Sequence, residues 1–64
     1  MKFENAIEAA AKAAYEDDAD YIVGRIGRND NDWQIAHEDD FGAQARMVEP
    51  KFLCDSVGIK YQVL

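Results

Sequence analysis

Between Tyr21 and His37 the chain reads Y-I-V-G-R-I-G-R-N-D-N-D-W-Q-I-A-H, two short alternating apolar runs around a polar Asn29-Asp30-Asn31-Asp32 segment. This pattern predicts a β-hairpin, because Asn and Asp tolerate left-handed backbone and hydrogen-bond locally in turns. A loop of two or four residues sets Arg28 opposite Trp33, Ile26 opposite Ile35 and Gly24 opposite His37. One face then carries Ile22, Ile26, Trp33 and Ile35, and the other Tyr21, Val23, Arg25, Gln34, Ala36 and Glu38. A slip of one residue would turn every side chain over.

Ahead of the hairpin the period changes to that of a helix. Phe3, Ile7, Ala10, Ala11, Ala14 and Tyr15 fall near one face at helical spacing, which predicts an amphipathic helix over residues 3–16. Six alanines from Ala6 to Ala14 raise its propensity, and Glu8 with Lys12 forms a favourable i,i+4 pair. Asn5 and Glu8 have capping-box spacing, so the regular helix is expected to start at Asn5. Glu16, Asp17 and Asp18 then crowd the end where the helix dipole disfavours negative charge, and should stop it. The alanine face would let the helix sit close to a sheet, with Phe3, Ile7 and Tyr15 as bulky contacts.

Beyond the hairpin, Glu38-Asp39-Asp40-Phe41-Gly42 reads as an acidic turn. Residues 43–49 alternate as a third strand would, although the same residues also suit a helix. Pro50 fits the first position of a short helix over residues 50–57, with Phe52, Leu53, Cys54 and Val57 as its apolar side and Gly58 as its stop. Ile59 to Leu64 alternates again and predicts a final strand, placed at the chain terminus and free to form a sheet edge. The expected fold is a single α+β domain over residues 1–64. Its N-terminal helix packs on a small antiparallel sheet of three to four strands, in the order α-β-β-(β)-α-β.

Size and charge narrow the function classes. A chain of 64 residues buries only about 60% of its unfolded surface, so its stability should be a few kcal/mol. Cys54 is the single cysteine and cannot form an intrachain disulfide; a lone thiol suits a reducing compartment, and the cytoplasm is the expected location. Glu8 and Lys12 interrupt the N-terminal apolar stretch, so neither a signal peptide nor a membrane span is expected. With 13 acidic and 7 basic residues, the formal charge of −6 repels nucleic acid and anionic membrane. A protein partner with a basic surface suits it better.

Catalytic and metal chemistry finds little support. Counted from Asp30, a calcium loop would need glycine at its sixth position and glutamate at its twelfth; the chain has Ile35 and Phe41. His37-Glu38-Asp39-Asp40 gathers potential ligands, but neighbours on a strand point to opposite faces and zinc sites draw on separated positions. Cys54 lies in an apolar F-L-C-D-S run where core packing outweighs a nucleophilic partnership with His37. No phosphate-binding, dinucleotide or nucleophile-elbow motif is present. No enzyme activity, metal or cofactor is expected.

Two features remain as candidate binding surfaces. Arg28 opposite Trp33 would stack as a cation–π pair, and Arg and Trp are common interface anchors, although Trp33 is also the largest core side chain available. The carboxylates form two clusters, Glu16, Asp17, Asp18 and Asp20 before the hairpin and Glu38, Asp39 and Asp40 after it. Strand one starts near Asp20 and strand two ends near Glu38, so the hairpin should join them into one acidic patch. The plainest role for such a patch is solubility. The functional expectation is a non-enzymatic module, of the inhibitor or regulator kind carried by phages and mobile elements, docking through that patch. Two alternatives are a nucleic-acid mimic that blocks a DNA- or RNA-binding protein, and a homo-oligomer paired through the C-terminal strand.

Overall fold

A computed structural model describes residues 1–63, running α1 (Phe3–Asp17), β1 (Tyr21–Arg25), β2 (Trp33–His37), α2 (Phe41–Ala45), β3 (Val48–Asp55) and β4 (Gly58–Val63). The strands form one antiparallel sheet in the order β2-β1-β3-β4. The α+β class and the helix-on-sheet arrangement are those expected from the sequence. Leu64, assigned above to the last strand, lies outside the described residues.

Helix α1 buries a narrow stripe of Ala6, Ala10 and Ala14. These fall one turn apart, and with no side chain beyond Cβ they let the helix backbone approach the sheet. Phe3 and Ile7 extend the contact, whereas Tyr15 is 79% exposed and takes no part in it. The helix starts two residues before the Asn5–Glu8 spacing suggested: Lys2 occupies the N-cap position without a side-chain cap. Burial of Phe3 against Trp33 and Phe52 outweighs the lost capping bond.

The far end stops at Asp17, as the run of acids implies. Asp18 follows in left-handed backbone (φ 50°), and its N–H reaches the carbonyl of Ala14. An L-residue there costs about 1 kcal/mol relative to glycine. Asp18→Gly should therefore stabilise the domain by about 1 kcal/mol, read as a rise in urea midpoint without a change in slope.

The hairpin forms, but with the other parity. Arg25 faces Trp33, Val23 faces Ile35 and Tyr21 faces His37. Ile26 N–H still bonds the Asp32 carbonyl at 3.0 Å, so the loop runs from Gly27 to Asn31, an odd number of residues. That odd count moves Val23 onto the face of Trp33 and Ile35, and Ile22 onto the face of Ala36. The reason is that β1 is buried on both faces: Ile22, Val23 and Gly24 are all covered. Alternation in such a strand does not reveal which side is the core. Gly24 has its own constraint, since an added Cβ would lie 2.9 Å from Cβ of Met47.

In the second half, helix and strand exchange places relative to the expectation. Residues 43–47 are not a strand, and only Val48 and Glu49 of the expected run join one, at the start of β3: Phe41–Ala45 forms α2, capped by Asp40, whose Oδ1 accepts from Ala43 N–H at 3.1 Å. Residues 50–57 are not a helix: β3 runs from Val48 to Asp55 beside β1. Pro50 lies in the bulge between the Val23–Phe52 and Arg25–Val48 pairs, a break in the ladder where a missing N–H is tolerated. Gly58 (φ 141°) closes the turn into β4 instead of ending a helix, with Asp55 Oδ1 accepting from Val57 N–H at 2.8 Å and Gly58 N–H at 3.1 Å.

Two apolar layers result. Ala6, Ala10, Val23, Trp33 and Cys54 form the layer under α1, joined by Phe3, Ile7, Tyr21, Ile35 and Phe52. Ile22, Ala36 and Met47, with Ala43, Leu53 and Val63, form a smaller one on the opposite face. Short α2 and Met47 cover part of that second face.

Candidate docking surface

The turns decide where the carboxylates collect. Helix α1 ends, β1 begins, β2 ends and β3 ends at one end of the sheet, so Asp17, Asp18, Asp20, Glu38, Asp39, Asp40 and Asp55 all lie there. Contacts bind the clusters together. Glu38 N–H donates to the Asp20 carbonyl at 3.0 Å, and Asp20 N–H donates to Glu38 Oε2 at 2.8 Å. The Tyr21 hydroxyl donates to Asp17 Oδ2, tying the end of α1 to the start of β1. That hydrogen bond, with partial burial and the nearby charges of Asp17 and Glu16, raises the Tyr21 pKa above its ordinary value.

Asp17, Asp18, Glu38, Asp39 and Asp40 are exposed, while Asp20 and Asp55 are partly covered. Asp40 is engaged as the α2 cap, and Asp39 sits beside His37, whose Nδ1 accepts from Asp39 N–H at 3.0 Å. One cation reaches into the group: Lys60 Nζ lies 3.4 Å from Asp20 Oδ2. Arg25, Arg28 and Arg46 belong to the opposite end, where β1 leaves the sheet and β3 enters it. Asp30, Asp32 and Glu49 share that opposite end, which is of mixed sign, so net negative charge is concentrated at the first end. Sequence reading missed Asp55 and Lys60 because Asp55 reaches this end through the pairing of β3 with β1 and Lys60 through the β3–β4 hairpin.

The Arg28–Trp33 pair is not made. With the hairpin in its actual register it is Arg25 that stacks on Trp33, its guanidinium carbon 5.3 Å from the ring centroid. Arg28 is exposed in the loop, where its carbonyl accepts from Arg25 Nη1 at 3.5 Å. Trp33 is 8% exposed and packs edge-on against Phe3 at 4.6 Å. It belongs to the core and is not a surface anchor.

Other candidates resolve by position. The Asn29–Asp32 segment closes the hairpin loop through Asp32 N–H to the Asn29 carbonyl at 3.1 Å and Asn29 N–H to Asp32 Oδ2 at 3.1 Å. Cys54 and His37 flank Tyr21 on opposite sides, two strand spacings or about 10 Å apart, beyond hydrogen-bond reach. Cys54 is fully buried, and burial together with the Asp55 charge pushes its thiol up to about 11, so it keeps its proton at neutral pH. Among the described residues, no three His, Cys, Asp or Glu side chains gather where a metal ion could be held. No helix among them is long and apolar enough to cross a membrane. An open groove of about 360 Å³ lies along β2, lined by Ile26, Gln34, Ile35, Ala43, Arg46 and Met47.

Compared with known protein families, curated proteins and solved structures, the chain matches none.

Proposed function

We propose that this protein is a non-enzymatic binding module of the cytoplasm that docks on a basic surface of another protein and acts as its inhibitor or regulator. The observation that carries this reading is the concentration of acids: carboxylates from the end of α1, the end of β3 and the two connections between them share one end of the sheet, where the Asp20–Glu38 and Tyr21–Asp17 contacts link the clusters. A surface of one sign steers an oppositely charged partner and speeds its encounter. The fully buried, protonated Cys54 supports the non-enzymatic part, since the nucleophile that sequence offers is withdrawn into the core.

Affinity capture from source-cell lysate at low and high salt, followed by titration with the purified partner, tests the reading. One stoichiometric partner released by salt is expected. Asp17→Lys combined with Asp39→Lys should then weaken binding by about 10- to 100-fold, with an unchanged circular dichroism spectrum. Unchanged affinity in the folded double variant would defeat the proposal. Loss of DNA or RNA from the captured partner in proportion to its occupancy would identify the acids as phosphate mimics.

A further inference from the structure

The single histidine of the chain meets the acidic end through a contact that its own protonation must break. His37 Nδ1 accepts a hydrogen bond from the Asp39 N–H at 3.0 Å. A backbone amide can only donate, so this contact fixes the neutral tautomer, with hydrogen on Nε2 and a free lone pair on Nδ1. A protonated imidazole carries hydrogen on both nitrogens and has no place for that bond. Asp39 itself supplies the alternative. Its Oδ2 lies 3.9 Å from the same Nδ1, on a side chain that is 79% exposed.

The surroundings confine the change to that residue. From β1 the Tyr21 ring packs edge-on against the imidazole at 5.4 Å, with its hydroxyl held by Asp17 at the end of α1. From α2, Gln44 Nε2 reaches the His37 carbonyl and leaves the ring alone, and it donates again to the Glu38 carbonyl, both at 2.9 Å. The His37 carbonyl also accepts from Asp40 N–H at 2.9 Å. None of these backbone anchors uses an imidazole nitrogen, so the turn stays in place when the ring gains a proton.

We infer that His37 is a pH-sensitive latch on the acidic surface. Neutral, it holds the Asp39 amide and leaves the Asp39 carboxylate to solvent. Protonated, it releases the amide and draws that carboxylate onto Nδ1–H as an ion pair. Acidification thus neutralises one exposed carboxylate and turns it inward, and a basic partner is held less tightly. The effect on binding rests on the docking reading proposed above. The latch does not, because it is a property of the free chain.

Nuclear magnetic resonance of the full chain from about pH 8 down to about pH 5, where histidine side chains change charge, tests the latch without a partner. At the alkaline end, long-range proton–nitrogen correlations should place the imidazole hydrogen on Nε2 alone. As the pH falls, the Asp39 amide proton should move upfield with the same midpoint as the His37 ring protons, while the Asp40 amide moves less. His37→Gln keeps an oxygen that can accept from the Asp39 N–H but does not titrate; it should abolish the step and leave the circular dichroism spectrum intact. With a captured partner, the ratio of wild-type to His37→Gln affinity should fall by about 3- to 10-fold over the same range. Hydrogen on Nδ1 at the alkaline end, an Asp39 amide that does not follow the ring, or a step that persists in His37→Gln would overturn the latch. A latch that titrates while the affinity ratio stays flat would overturn its role in binding. The acidic docking surface would then still stand on the Asp17→Lys, Asp39→Lys test.

Discussion

Trp33→Ala should unfold most of the molecules at room temperature. Truncating a buried tryptophan costs about 3–5 kcal/mol, and a domain of this size has only about 3–5 kcal/mol in total. The loss is concentrated because Trp33 joins several elements at once: Phe3 of α1 at 4.6 Å, Phe52 of β3 at 6.2 Å and the Arg25 guanidinium of β1 at 5.3 Å. Arg25 adds to the cost. Its Nε is buried without a hydrogen-bond partner among the described residues, and the indole face is what offsets that burial. Trp33→Phe keeps an apolar ring against Phe3 and should cost only about 1–2 kcal/mol. Urea titration followed by far-ultraviolet circular dichroism separates the two. A surface anchor would behave in the opposite way: Trp33→Ala would keep its midpoint and lose only partner binding. An unchanged midpoint would thus remove Trp33 from the core and return it to the interface.

What could be read from the sequence follows from which interactions are local. Helix α1 and its stop at Asp17 were legible because a 3.6-residue alanine period and a terminal cluster of acids act within a few residues. The existence of the first hairpin was legible from its Asn-Asp turn, but its parity was not. Ile22 and Val23 are equally apolar, and only packing of α1 on one face and Met47 on the other decides which points where. The α2–β3 exchange has the same origin. Phe52-Leu53-Cys54 is a short apolar run, half-buried at Phe52 and Leu53 and fully buried at Cys54, and a run of that kind suits a strand or a helix segment equally. Meeting of the acidic clusters at Asp20 and Glu38 depends only on the hairpin bringing the start of β1 beside the end of β2, so it survived the change of register. Asp55 joined them through the pairing of β3 with β1, which local pattern did not reveal.

Ala10→Leu should be the most damaging change on the helix, although both residues favour helical backbone. Ala10 is wholly buried between Ala6 and Ala14, in the layer that includes Val23 and Cys54. The larger side chain has no room unless α1 lifts from the sheet, and overpacking of a close contact costs about 1–3 kcal/mol or more. Lys12→Leu, on an exposed position of the same helix, should change stability by less than about 0.5 kcal/mol, separating packing from propensity. The consequence reaches the binding end, because lifting α1 draws Asp17 away from the Tyr21 hydroxyl. The Tyr21 pKa should then fall back toward its ordinary value, since the hydrogen bond to Asp17 is the first cause of its elevation. In a Tyr15→Phe, Tyr61→Phe background, where Tyr21 is the one remaining tyrosine, an ultraviolet titration between pH 9 and 12 reads this, provided the variant remains folded. Full stability in Ala10→Leu would mean that the helix sits farther from the sheet than the alanine stripe requires. A destabilised but folded variant with a lowered tyrosine titration would show that the alanines hold the acidic end together.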